Sequence, residues 1–168
     1  MNYILEKVTL DKKEVLHNLL QFALYDGSKY IKNELTEHAN FEYKWFDNYF
    51  TDNDREAYFI KNDKTYLGFV MINENLKFNN TGKSIAEFLI IPQYRRKHIG
   101  KKVAIEIFEK YKGYWEIEPI KNSNEAYSFW EKTIEEYTNG NYNIKNNETE
   151  EIFIFNNQWR RYYANNRI

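Results

Sequence analysis

Hydrophobic residues change their spacing several times along this chain, and each change predicts an element. Ile85, Phe88, Leu89, Ile90 and Ile91 form a short apolar run from Ser84 that Pro92 stops, because proline cannot donate to a sheet ladder. A strand and then a turn are expected there. From Ile99 the apolar residues Val103, Ala104, Ile107, Phe108 and Tyr111 recur at helical spacing, with Lys101, Lys102, Glu106, Glu109 and Lys110 on the other side. Gly113 ends this predicted helix.

Before that stretch, Tyr3 to Thr9 reads as a first strand, and Asp11 with Glu14 as a capping box for a helix carrying Val15, Leu16, Leu19, Phe22 and Ala23, which stops near Gly27. Ala57 to Lys61 and Tyr66 to Asn73 are β-rich runs separated by the hairpin composition Asn62-Asp63-Lys64-Thr65. A second turn over residues 79–82 leads into the Ser84 strand, so three strands form an antiparallel meander. Tyr114 to Pro119 is a further strand, and the strand, helix, strand succession favours parallel pairing with the Ser84 strand, a pair that splays at one end. Asn122 with Glu125 starts another helix with the stripe Ala126, Phe129, Trp130 and Thr133. The asparagine-rich segment Thr138 to Asn147 reads as a loop, Glu151 to Phe155 as a last strand, and the basic, aromatic tail from Trp159 to Ile168 as a packed or frayed terminus.

The fold class expected is therefore α/β, as an α+β mixed sheet that is mostly antiparallel, flanked by helices. At 168 residues the chain suits one substantial core, so a single domain over residues 1–168 is expected, and 18% aromatic content supports a packed interior. A net charge of -1 argues against a dedicated nucleic-acid binder. Cysteine is absent, which excludes disulfides and a cysteine nucleophile, and His17, His38 and His98 show no ligand spacing, so no metal is expected. The first residues lack the apolar core of a secretion signal and no run is long enough to span a bilayer; a cytoplasmic protein without membrane contact is expected.

Between the Ser84 strand and the Ile99 helix lies Gln93-Tyr94-Arg95-Arg96-Lys97-His98-Ile99-Gly100. It puts unpaired backbone N–H groups, the positive end of a helix dipole and cationic side chains at one spot, which suits a pyrophosphate. This stretch, from Glu87 through Pro92 to Gly100, resembles the coenzyme A motif of the GCN5-related N-acetyltransferase (GNAT) family, written Gln/Arg-x-x-Gly-x-Gly/Ala. Arg95 takes the first position, Gly100 the last, and His98 stands where the middle glycine is expected; histidine tolerates left-handed backbone angles better than most residues. The later segment Ser123-Asn124-Glu125-Ala126-Tyr127-Ser128-Phe129-Trp130 resembles the family's Asn-x-x-Ala-x-x-Phe-Tyr, with Ser123 for the asparagine and Trp130 for the tyrosine. The resemblance is specific from about Glu87 to Trp130.

What it implies is acetyl transfer from acetyl-coenzyme A to a primary amine by direct attack, with no covalent enzyme intermediate. Glu87, five residues before Pro92, takes the place where the family often keeps a carboxylate that deprotonates the amine through water. The backbone of Leu89, Ile90 and Ile91 is implied to meet the pantetheine arm, and Arg95, Arg96, Lys97, His98, Ile99, Gly100 and Lys101 the phosphates, with Ser123, Asn124 and Trp130 completing the cofactor side. The family's tyrosine at the Trp130 position is credited with protonating the leaving thiolate, which an indole does not do; Tyr127 and Tyr137 are the nearby substitutes. Phe41, Tyr43, Trp45, Phe46, Tyr49 and Phe50, among Glu34, Glu37, Glu42 and Asp47, are read mostly as packing. By resemblance this segment also lies over the acceptor side, where aromatic faces and carboxylates favour a cationic or aromatic small-molecule amine over a protein tail. A homodimer stays open, as does the rival reading of a catalytically degenerate domain that binds acyl-coenzyme A without turnover.

Overall fold

Seven strands alternate with four helices in the computed structural model, which describes residues 2–147 and 150–159. The basic tail beyond Trp159 lies outside these residues. The chain divides into two compact units, one built from Met1–Asn73, Ile85–Gly100 and Ile120–Asn122, the other from Glu74–Ser84, Lys101–Pro119 and Ser123–Ile168. No helix among the described residues is long and apolar enough to cross a membrane.

In the first unit β1 (Ile4–Lys7) pairs antiparallel with β2 (Arg55–Asn62), and β2 with β3 (Thr65–Asn73). Asn62 faces Thr65, so only Asp63 and Lys64 make the turn, and Asp63 supplies the positive φ of 49° that a tight hairpin needs. Helix α1 (Lys13–Gly27) buries Leu16, Leu19 and Leu20 against Ala57, Phe59, Phe69, Met71 and, from β4 (Lys83–Ile90), Leu89. Its stripe excludes Phe22, which is 59% exposed. Nor is there a capping box: the Asp11 carboxylate accepts from the Thr9 hydroxyl, and Lys12 at the N-cap offers no side-chain cap. Residues 28–52 are mostly turns, with one short helix, α2 (Asn48–Thr51). Gln21 pins this segment as a strand would, accepting from Phe41 N–H at 2.7 Å and donating to Phe41 C=O at 3.1 Å. Phe41, Phe46 and Tyr49 are buried, the last two within the core under α1, whereas Trp45 is half exposed.

β4 is held very close to β3. Ile91 N–H donates to Leu67 C=O at 2.8 Å, and a Cβ placed on Gly68 would stand 1.9 Å from the Leu89 carbonyl oxygen. Only glycine admits that approach.

The second unit holds the start of β4, β5 (Tyr114–Ile117), β7 (Glu150–Asn156) and β6 (Asn143–Asn147), in that order. β4 and β5 are a parallel pair, in register at Lys83 with Trp115 and Ser84 with Glu116, whereas β1 with β2, β2 with β3, β5 with β7 and β6 with β7 pair antiparallel. Phe108 of α3 (Ile99–Lys110) centres an aromatic core, with ring centroids 5.0 Å from Trp115, 5.2 Å from Tyr137 and 5.0 Å from Phe155. In α4 (Asn124–Thr138) Ser123 is the N-cap, accepting from Ala126 N–H, and the buried stripe runs on past Thr133 through Ile134 to Tyr137. The Asn-rich loop proves to contain strand β6, paired with β7 at Ile144 and Phe153. The buried Glu116 carboxylate accepts the backbone N–H groups of Lys77, Phe78 and Asn79, tying down the turn before β4.

Gly68→Ala should unfold the protein more readily by on the order of 2–3 kcal/mol, the range for forced overpacking. Gly140→Ala, at φ +77° with nothing within 4 Å of the added carbon, should cost only about 1 kcal/mol of backbone strain. Urea denaturation of the two variants checks the ranking.

Candidate functional site

Glu87 sits in the second half of β4, half-buried in the first unit. Burial pushes its pKa up to about 7, against the opposing effect of the Tyr43 hydroxyl, which hydrogen-bonds the carboxylate. A carboxyl poised there exchanges a proton at neutral pH, the property a general base needs. Tyr43 itself is raised well above the ordinary phenol value, first by burial and then by the Glu87 charge, so it remains a donor. Tyr49, also buried, is pushed up to about 12 by burial, an effect that the Asn73 side chain and then the Arg55 cation oppose. Sequence reasoning placed Tyr43 and Tyr49 in a segment read mostly as packing and, by resemblance, over the acceptor side, and it did not name Arg55.

After β4 the chain makes a single 3-10 turn, Pro92–Tyr94, and enters α3 through a loop in which Arg96 and His98 have φ of 59° and 58°. His98 thus adopts the left-handed conformation for which the motif uses glycine. Arg96, Lys97 and His98 lie on the outside of this loop, Ile99 is buried, and Lys97 lies 5.8 Å over the Tyr94 ring. Arg96, Lys97 and the backbone N–H groups of this loop suit a pyrophosphate.

Arg95 does something different. Its Nε donates to Ile90 C=O at 2.8 Å and its Nη2 to Asp26 at 2.9 Å, and Asp26 also pairs with Lys29. Lys29 and then Arg95 hold the Asp26 carboxyl below its usual range. The guanidinium expected at the phosphates is therefore tied by two of its nitrogens to the end of β4 and to α1. Of the backbone expected to meet pantetheine, Ile91 N–H and Ile90 C=O are likewise engaged internally; by strand alternation the N–H of Ile90 points to the edge away from β3.

In the second unit, Lys101 pairs with Glu136, Ser123 caps α4 beside the exposed Asn124, and Trp130 is buried 4.9 Å from the Phe129 ring centroid and 6.4 Å from that of Phe108. Tyr137 donates to Glu109 at 2.7 Å and accepts from Asn157 at 3.1 Å. Tyr127 is pushed up to about 12 by burial and by Glu151, too weak an acid for work near neutrality. The Trp45 face expected to receive a substrate cation already carries Lys44 at 4.7 Å and Arg55 at 5.9 Å.

The family model described as "Acetyltransferase (GNAT) family" matches residues 16–134 of this chain. Comparison with curated proteins found no match in sequence. Among solved structures, an acetyltransferase from Thermus thermophilus is similar with a TM-score of 0.66 at 14% identity, covering 93% of this chain and 97% of its own. PaiA N-acetyltransferase from Thermoplasma acidophilum, solved with coenzyme A, gives a TM-score of 0.61 at 15% identity, covering 93% of this chain and 99% of its own. The aminoglycoside acetyltransferase AAC(6')-Ib, solved with ribostamycin and coenzyme A, gives 0.63 at 11% identity over 100% of this chain and 99% of its own. At such identities the likeness establishes the fold.

The Tyr43 hydroxyl favours the charged form of Glu87, so Tyr43→Phe should move the Glu87 pKa upward from about 7. A folded pKa raised above the unfolded value means that stability is full below pH ~4.3 and is lost as pH rises toward 7. Glu87→Gln should therefore raise Tm at pH 8 and leave it nearly unchanged at pH 4. Carbon NMR titration and thermal melts read the two effects.

Proposed function

Because this chain belongs to the GNAT acetyltransferase family, we propose that it moves an acetyl group from acetyl-coenzyme A to a primary amine of a small molecule by direct attack. The observation that carries this reading is Glu87, a half-buried carboxyl with a pKa about 7, on the strand that leads into the left-handed loop at the start of α3. Acetyl-coenzyme A supplies the acetyl thioester, from which the amine takes the acyl group as the thiol leaves.

Glu87 accepts the proton that the ammonium must lose, directly or through one water, and so frees the nitrogen lone pair. Tyr43 holds the carboxylate in place and lowers its proton affinity enough for release to solvent afterwards. The Ile90 N–H is the donor available for charge growing on the carbonyl oxygen. Arg96, Lys97 and the backbone N–H groups of the loop hold the pyrophosphate, while Arg95 keeps the loop in shape. Tyr127 is too weak an acid to donate a proton near neutrality, the Tyr137 hydroxyl is already donated to Glu109, and a thiol with a pKa of about 8.5 departs as the thiolate without either.

Thiol release with a panel of amines tests the reaction. Glu87→Gln should lower turnover roughly ten- to a thousandfold, as removal of a general base does, with coenzyme A affinity by calorimetry nearly intact. Gly100→Val and the pair Arg96→Ala, Lys97→Ala should weaken coenzyme A binding in folded protein, whereas Arg95→Ala should chiefly lower Tm. Parent-like turnover by Glu87→Gln across pH would remove the base from the mechanism.

A further inference from the structure

Three buried side-chain polar atoms among the described residues lack a hydrogen-bond partner: Tyr49 Oη, Asp54 Oδ1 and Arg55 Nε. Folded proteins satisfy the great majority of such atoms, so their collection around one arginine calls for a physical reason. Arg55 Nε stands 3.7 Å from Asp54 and 3.8 Å from Asp52, ion-pair distances that are too long for hydrogen bonds. Asp52 has its own donors, Asn48 and Thr51, each at 2.7 Å. The guanidinium carbon lies 5.7 Å from the Tyr49 ring centroid and 5.9 Å from that of Trp45, so aromatic faces hold the group flat.

The side chain of Arg55 is only 15% exposed. Its Nε is the buried, unpartnered nitrogen, and neither Nη is among the buried atoms that lack a partner. The aspartates flank the Nε edge of the group and leave the Nη fork to another partner. A fork of parallel N–H groups matches a carboxylate in a bidentate pair. The phenols of Tyr43 and Tyr49 each feel both the Glu87 charge and the Arg55 charge, which puts the base and this cation within reach of the same two rings.

We propose that Arg55 binds a carboxylate of the acceptor, with the Tyr49 hydroxyl completing the site, so that the acceptor is an amino acid-like molecule whose amine is directed to Glu87. The inference rests on the reading of Glu87 as the base. It replaces the cation expected at Trp45 by an anion at Arg55: the acceptor is zwitterionic, its ammonium at the carboxyl and its carboxylate at the guanidinium.

Product-like probes test this without turnover. Calorimetry on the full chain compares N-acetylglycine, N-acetylleucine and N-acetylphenylalanine, each with its primary amide. At least one acid should bind roughly ten- to a hundredfold more tightly than its amide, the range for charge-assisted hydrogen bonds. Arg55→Gln should erase the preference. Tyr49→Phe removes the hydroxyl that completes the site and should narrow the preference. Equal binding of acid and amide, binding of neither in every pair, or a preference that survives in Arg55→Gln overturns the proposal. Thiol release separates the two readings: transfer to amines lacking a carboxylate as fast as to amino acids overturns the Arg55 site and leaves acetyl transfer standing, whereas a retained acid preference without any thiol release sinks the enzyme reading and keeps the anion site.

Discussion

The close approach of β4 to β3 is the constraint on which the chemistry of this fold depends. A side chain at Gly68 would collide with the Leu89 carbonyl, so the hairpin can receive β4 only because residue 68 lacks one. Leu67 then takes the Ile91 N–H, which fixes the end of the strand. With both positions set, Glu87 has a defined depth beside Tyr43 and the loop after Pro92 has a defined origin. A strand free to slide by one residue would turn Glu87 to the opposite face.

Electrostatics in the first unit follow from that placement. The carboxyl of Glu87 is drawn into surroundings that disfavour its charge, with one phenol as partner, and it is thereby tuned to neutrality. Asp26 lies at the other extreme, flanked by Lys29 and Arg95 and kept ionised. The same functional group thus serves two ends: one carboxyl is poised to exchange a proton, the other is a fixed anchor for the loop. Arg95 and Arg55 divide in the same way, the first with Nε and Nη2 both hydrogen-bonded, the second with its Nε buried and unpartnered.

Much of this was legible in the sequence, and the failures have physical causes. The apolar run from Ile85, the helix from Ile99 and the meander were readable because burial on one side forces period 2 or 3.6 on the residues. The loop stood out through its cations between a strand and a helix, and Glu87 only through the resemblance to the family's motif. Strand β6 was hidden because Asn143–Asn147 has one apolar residue, Ile144, itself 40% exposed; its conformation comes from pairing with β7 and not from its own pattern. The Asp11 cap failed because Thr9 competes for the carboxylate. Arg55, between Asp54 and Glu56, reads as one more solvated charge, and only tertiary packing against Tyr49 and Trp45 removes it from water.

The histidine in place of the motif's middle glycine has a consistent thermodynamic account. At φ 58° a non-glycine residue bears left-handed strain, of order 1–2 kcal/mol for most side chains and less for histidine, and Arg96 at 59° bears it too. Against that, a residue with a Cβ has fewer unfolded conformations to lose than glycine has. The strain persists only if the flanks hold the loop, and they do: Arg95 ties the near side to Ile90 and Asp26, and Ile99, 2% exposed, ties the far side to the core. A loop clamped at both ends keeps its N–H groups in one arrangement before any anion arrives, so glycine's freedom at residue 98 is not needed for the backbone to present them.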